Sequence, residues 1–261
     1  MIVLQMKIHP FLLLSLLVLV SISCRPQDAS NRLSIGIPTI EQEATSIWRT
    51  INDIEFLEEQ GYQISLPELE QIASLIDKSR AGTFGNKDFG SIQQLLSESI
   101  FDPQDYKAAL EKVKAQRTLI NGFIQQLAVD TPNRKWEFTF FERYEIVLTL
   151  YGTGGSYDPD NGTVTLFTTP EGAFKNYENP ANTITHEIVH MGIEQPIVQK
   201  YQLPHALKER VVDRFEYVLI GEQLPNYKMQ PMGNEQIDDL LKQREDFWRL
   251  GAIMEQYMAQ K

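Results

Sequence analysis

Cysteine and histidine are scarce in this chain. Of its 261 residues, one is cysteine and four are histidine. A single cysteine excludes intramolecular disulfides from the mature fold, and it excludes the cysteine-rich cages that usually hold structural zinc. Basic charge is also short: 24 Lys and Arg stand against 35 Asp and Glu, a net charge of -11. The basic residues are scattered and form no stripe along a helical face, so the electrostatic footprint of a nucleic-acid binder is missing. No repeat or low-complexity tract is long enough for a solenoid or a disordered tail. With 42% hydrophobic and 23% charged residues, the composition is that of a folded protein, one domain with a modest extension.

Long apolar runs are missing too, apart from Phe11 to Ile22. That run is short for a membrane span, which needs ~20 residues, and polar Arg25-Pro26-Gln27-Asp28 follows it closely. Residues 1–23 therefore read as an export signal with Lys7 in its n-region. Cys24 follows Ser23 in a placement that resembles a bacterial lipobox, with Ser21 where the usual pattern has Leu. The expectation is a lipidated Cys24 that anchors the protein to a membrane of the bacterial cell envelope. A plain signal peptide and a retained anchor are the alternatives.

Pro, Ser, Asn and Gly without apolar periodicity make 24–38 a lipidated tether without fixed structure. Residues 39–130 form a helical region: Ile47, Trp48, Ile51, Ile54 and Leu57 recur at spacings of three and four, as do Leu69, Ile72, Leu75 and Ile76. The Leu110 to Leu127 stretch repeats the theme, and Gly82 to Gly90 divides the series. Residues 131–261 form the second region. There Lys135 to Glu142, Tyr144 to Tyr151 and Thr163 to Thr168 read as antiparallel strands, the last following the turn Asp158-Pro159-Asp160-Asn161-Gly162. Helix returns from Pro180, with Pro180 and Pro204 at first-turn positions and Gly221 at a helix end. The fold class is α+β.

His186-Glu187-Ile188-Val189-His190 lies where a helix is expected, between Asn179-Pro180 and Pro196. A spacing of four puts both imidazoles on one face, where they can bind one Zn2+, and Glu187 beside them can act as general base toward a water. The flanks, Thr183-Ile184-Thr185 and Met191-Gly192, are uncharged, so this helix can lie in a low-dielectric cleft. A catalytic zinc needs a third protein ligand and an open position. Glu194, His205 and Glu209 are the candidates. Glu194 shares the helix of the two histidines and would give poor tetrahedral spread. Glu209 is preferred, because Asp213 lies one turn on along the same face and can hold the far ring nitrogen of His186.

His186-Glu187-x-x-His190, eighteen further residues and Glu209 resemble the ligand spacing of aminopeptidase-N-like gluzincins, and Glu209-x-x-x-Asp213 is similar to the pairing in thermolysin-like enzymes. The resemblance covers residues 160 to 220. Lys208-Glu209 replaces the Asn-Glu common at the third ligand, and no exopeptidase motif stands upstream. The resemblance implies a zincin-like catalytic domain, with a small antiparallel or mixed sheet beside the metal-binding helix. It also implies an edge strand that pairs with an extended substrate, for which Thr163 to Thr168 is the candidate. A downstream His or Tyr is implied as oxyanion stabiliser; His205, Tyr217 and Tyr227 are available, and the catalytic set is taken as Glu187, His205 and Tyr217. The activity expected is zinc-dependent hydrolysis of a peptide or protein substrate. A non-catalytic zinc-binding lipoprotein is the rival, opposed by the complete general base and open ligand position. A third possibility makes the N-terminal helices a regulatory segment.

Overall fold

A computed structural model describes residues 32–130, 136–175 and 178–259. Cys24 and the export signal lie outside the described residues. The protein is α+β, mostly helical, with one mixed four-stranded sheet in the order β1-β2-β4-β3. Strand β1 is Leu33–Gly36, β2 Tyr144–Thr149, β3 Gly155–Asp158 and β4 Thr163–Phe167. Among the described residues no helix is long and apolar enough to cross a membrane.

Three strand expectations are corrected. Leu33–Gly36 belongs to the sheet rather than to an unstructured tether: it pairs in parallel with β2, Leu33 opposite Tyr144, and buries Leu33. The expected strand at 135–142 has no sheet partner over its described part. Trp136 and Phe138 instead turn inward, Trp136 stacking on Phe215 with ring centroids 5.6 Å apart, while Thr139 N–H donates to the Gly192 carbonyl. Aromatic content signalled burial there, and strand and buried coil share that signal. Finally, β2 and β4 are parallel; only β3 and β4 are antiparallel. The β3–β4 hairpin turns on Asp158, whose carboxylate accepts from the Asp160 N–H and the Asn161 amide, and on Gly162 with φ +76°. β4 then inserts between β3 and β2, so it is an interior strand and β3 holds the edge.

Helices α1 (Ile40–Asn52), α2 (Ile54–Glu59), α3 (Glu70–Arg80) and α4 (Phe89–Leu95) form an N-terminal layer. A capping box starts α1: Gln42 N–H donates to Thr39 Oγ1 and Thr39 N–H to Gln42 Oε1. Its apolar face, Ala44, Ile47 and Ile51, packs with Ile72, Leu75, Ile92 and Leu96 in a small core. The principal core spans both sides of residue 130. It joins α5 (Lys107–Ala115) and α6 (Arg117–Asp130) to the inner faces of β2 and β4 and to α7 (Pro180–Ile193) and α8 (His205–Leu219). Alternation along β4 explains the arrangement: Val164 and Leu166 enter this core, while Thr163 and Thr165 line a polar cavity of about 400 Å3 shared with α1. Two short helices, α9 (Arg244–Phe247) and α10 (Leu250–Met258), close the far end.

Candidate metal centre

Helix α7 begins as its sequence requires. Pro180 occupies the first turn, where its missing N–H costs nothing, and the Asn179 side chain caps Ala181 N–H. All fourteen residues are buried, which the uncharged flanks of the histidines permit. The helix does not stop at Ile193 but widens into a π-helical turn, Glu194–Gln199, that absorbs Pro196. Gly192 is needed for packing: a Cβ there would sit 1.9 Å from the Phe138 ring.

Side by side, α7 and α8 bring together the residues singled out above. His186 Nε2 lies 3.1 Å from His190 Nε2 and 3.4 Å from Glu209 Oε2, and His190 Nε2 lies 3.3 Å from the same oxygen. These buried atoms converge so that they could hold a metal ion. Asp213 also stands where expected. His186 Nδ1 is 3.3 Å from Asp213 Oδ1, and Asp213 is fully buried. It is fixed from behind by Gln230 N–H at 2.6 Å and by the Tyr227 hydroxyl at 3.4 Å.

Glu216 is a further member that sequence reasoning missed. Its Oε2 is 3.4 Å from the same His186 Nδ1, and its other oxygen accepts from Thr185 Oγ1. His186 Nδ1 is thus shared between two buried carboxylates and aligned well with neither. The signal was present, because Glu209, Asp213 and Glu216 are spaced i, i+4 and i+7 on one helical face.

Electrostatics follow from burial and this pairing. Burial alone would lower the His186 pKa, but Asp213, Glu209 and Glu216 together hold it well above the ordinary value. Burial drives His190 down to about 4, against the pull of Glu209. Burial would raise Glu209, yet the two imidazoles keep its carboxyl far below the usual range. Glu216 is raised by burial.

Glu187 is also buried, and its carboxylate makes no hydrogen bond among the described residues; burial lifts its pKa to about 7. It occupies space that Gly155 leaves at the start of β3, where a Cβ would stand 2.4 Å from Glu187 Oε1. Sequence reasoning passed over Gly155, because Gly152-Thr153-Gly154-Gly155 reads as loop. Two residues on, Tyr157 stacks on His190 with centroids 5.0 Å apart and interplanar angle 6°, and donates its hydroxyl to Glu194 at 2.7 Å. Glu194 is thereby engaged away from the three converging atoms.

The remaining expectations divide. His205 lies beside the site and is partly exposed, its Nδ1 3.6 Å from Glu209 Oε1. Tyr217 is not brought to the cluster: it is 51% exposed and lies beside Tyr227 and Arg214, because a residue directly after Glu216 on a helix points about 100° away from it. Tyr227 supports Asp213, donating its hydroxyl to the Asp213 carbonyl. Thr163 to Thr168 cannot offer a free edge, since β4 is paired on both sides; the open edge beside α7 belongs to β3. No family model, no curated protein and no solved structure matches this chain.

Proposed function

We propose that the protein is a zinc metallopeptidase of the gluzincin type with a zincin-like catalytic domain, in which His186, His190 and Glu209 hold the metal and Glu187 is the general base. One observation carries this reading. A tetrahedral ion bonded at ~2.0–2.1 Å spaces its ligand atoms about 3.3–3.4 Å apart, and the three converging atoms are 3.1, 3.3 and 3.4 Å apart. Charge balance supports it as well. Glu187, Glu209, Asp213 and Glu216 are all buried around two imidazoles, with Lys208 Nζ 3.6 Å from Glu209 as the nearby cation. A buried excess of acid groups is costly unless a cation answers it.

Two imidazoles and one carboxylate also suit ferrous iron, but a free buried carboxyl beside the site favours hydrolysis. Bound zinc supplies Lewis acidity toward a carbonyl and toward water. The rest falls to the chain. Glu187, with a pKa near 7, can take a proton from the attacking water and return it to the leaving amine as the C–N bond breaks. Asp213 and Glu216 face His186 Nδ1, where one of them can accept its proton and orient the ring. The open edge of β3 is suited to pairing with an extended peptide.

In this reading the substrate is a peptide or protein, and the enzyme is an exported bacterial envelope lipoprotein attached to the membrane through lipid on Cys24. The test is Glu187→Gln. It is expected to keep stoichiometric zinc and lose turnover by about 10²–10⁴-fold on a peptide library. A zinc-replete Gln variant that cleaves at the wild-type rate contradicts the proposal.

A further inference from the structure

We propose that Tyr157 of β3 is a positioning residue for the candidate metal centre: by stacking, its ring holds the His190 imidazole in the orientation that brings Nε2 to the converging atoms. The inference rests on the reading of His186, His190 and Glu209 as metal ligands.

The two histidines are held differently. A ligating imidazole is ordinarily oriented by a hydrogen bond from its second ring nitrogen to a carboxylate, a carbonyl or a water. His186 Nδ1 has Asp213 and Glu216 at 3.3 and 3.4 Å for that purpose. His190 Nδ1 is buried and has no hydrogen-bond partner among the described residues. No bond at that nitrogen therefore opposes rotation of the ring about χ2.

Tyr157 supplies the missing restraint. Its ring lies nearly parallel to the imidazole, at an interplanar angle of 6° with centroids 5.0 Å apart, inside the ~4.5–7 Å range of preferred aromatic pairs. Rotation about χ2 would turn the edge of the imidazole into this face. The tyrosine is itself fixed at its far end, where its hydroxyl donates to Glu194 Oε2 at 2.7 Å. Glu194 continues α7 one turn beyond His190, so imidazole, phenol and carboxylate close a clamp between α7 and β3. From α8, Lys208 Nζ lies over the same phenol ring, 5.7 Å from its centroid.

The alternation of β3 explains the placement. Gly155 and Tyr157 face α7, the glycine leaving room for Glu187 and the tyrosine meeting His190, while Ser156 and Asp158 line the polar cavity on the other face. Charge gives the stack a direction as well. An imidazole that shares its lone pair with a metal becomes electron-poor, and the face of a phenol attracts positive charge. The contact therefore favours the loaded state.

The test compares Tyr157→Phe, which keeps the ring, with Tyr157→Leu, which removes it, in the full-length protein. Zinc affinity is read by competition with a chromogenic chelator, and ligand geometry by the visible absorption of the Co2+-loaded protein, which a purely packing role would leave unmoved. Tyr157→Leu is expected to weaken zinc binding about 10-fold and to shift the cobalt bands, whereas Tyr157→Phe should stay within about twofold of the wild type with an unchanged spectrum. A Leu variant in which either the affinity or the cobalt spectrum is that of the wild type overturns the inference and leaves the metal-centre reading standing, whatever its melting temperature. Equal losses in the two variants also overturn it, since they assign the effect to the hydroxyl rather than to the stacked ring. Wild-type protein that holds no zinc overturns the metal-centre reading, and this one with it.

Discussion

Glu187 sits in a space shaped by a missing side chain. Gly155 needs no special backbone angle, so alanine there is allowed by the chain and refused by the neighbours, Glu187 Oε1 and Thr183 Cγ2, both 2.4 Å from the added carbon. Gly155→Ala is therefore expected to displace Glu187, the proposed base, rather than unfold the protein. Activity should drop by about 10²-fold, the scale of a 1 Å misplacement, with zinc retained; full activity would show that Glu187 is not held where the mechanism needs it. Behind the candidate metal site, Asp213→Asn and Glu216→Gln each remove one of two carboxylates that face His186 Nδ1. Each is expected to weaken zinc binding about 10–100-fold, measured by competition with a chromogenic chelator. At this scale the sequence was highly legible. Spacing on a helix is a local property, so His186, Glu187 and His190 could be grouped from their intervals on α7, and Glu209 with Asp213 from theirs on α8, whereas the meeting of the two helices rested on the resemblance. Tyr157 and Glu194 are 37 positions apart, and no local pattern reports such a meeting.

Elements were less legible where their signal is tertiary. The helices carry periodic apolar faces and caps, and α1 and α7 start where Thr39 and Asn179 announce them. Strand β3 has no apolar alternation, only Gly155-Ser156-Tyr157-Asp158, all four partly exposed, so period-two burial could not mark it. The parallel pairing of β2 with β1 and β4 was equally hidden, since side-chain alternation is the same for either strand direction. One buried carboxyl joins two of these elements. Glu43 of α1 accepts the Tyr106 hydroxyl at 2.6 Å and the Leu150 N–H at 2.9 Å, and its other oxygen has no partner. Glu43→Ala strands both donors and is expected to cost about 2–4 kcal/mol in denaturant unfolding.

A pH signature accompanies that carboxyl. Burial raises the pKa of Glu43 above 4.5 in the folded state, so the folded protein keeps a proton the unfolded chain has released. The associated stability is full below 4.5 and fades as pH climbs through the raised value. Compared with Glu43→Gln, which has no such proton, the wild type should lose stability over that interval. Parallel pH profiles for the two proteins would contradict the assignment.

For the molecule as a whole, the helices before residue 130 are structural partners of the half that carries the histidine–carboxylate cluster. Leu33, Tyr106, Leu110, Phe123 and Leu127 share one core with Ile184, Ile188, Val212 and Phe215, and β1 supplies a strand to the sheet that flanks the site. A fragment beginning at residue 136 is accordingly expected to lack cooperative unfolding by circular dichroism; a sharp transition would show that the later half folds alone. Composition could divide the chain into helical and mixed regions, but not reveal that both bury the same core, because shared burial is a property of three dimensions. On the proposed lipoprotein reading, Cys24→Ser is expected to abolish lipid labelling and to move the protein out of the membrane fraction.

The most direct test of the account is metal analysis of the purified protein and of His190→Ala, by mass spectrometry of bound elements after dialysis. One zinc per wild-type chain, lost in the variant, is the expected result. Wild-type protein that holds no zinc, or a variant that holds it equally well, would contradict the claim that His186, His190 and Glu209 form a metal centre.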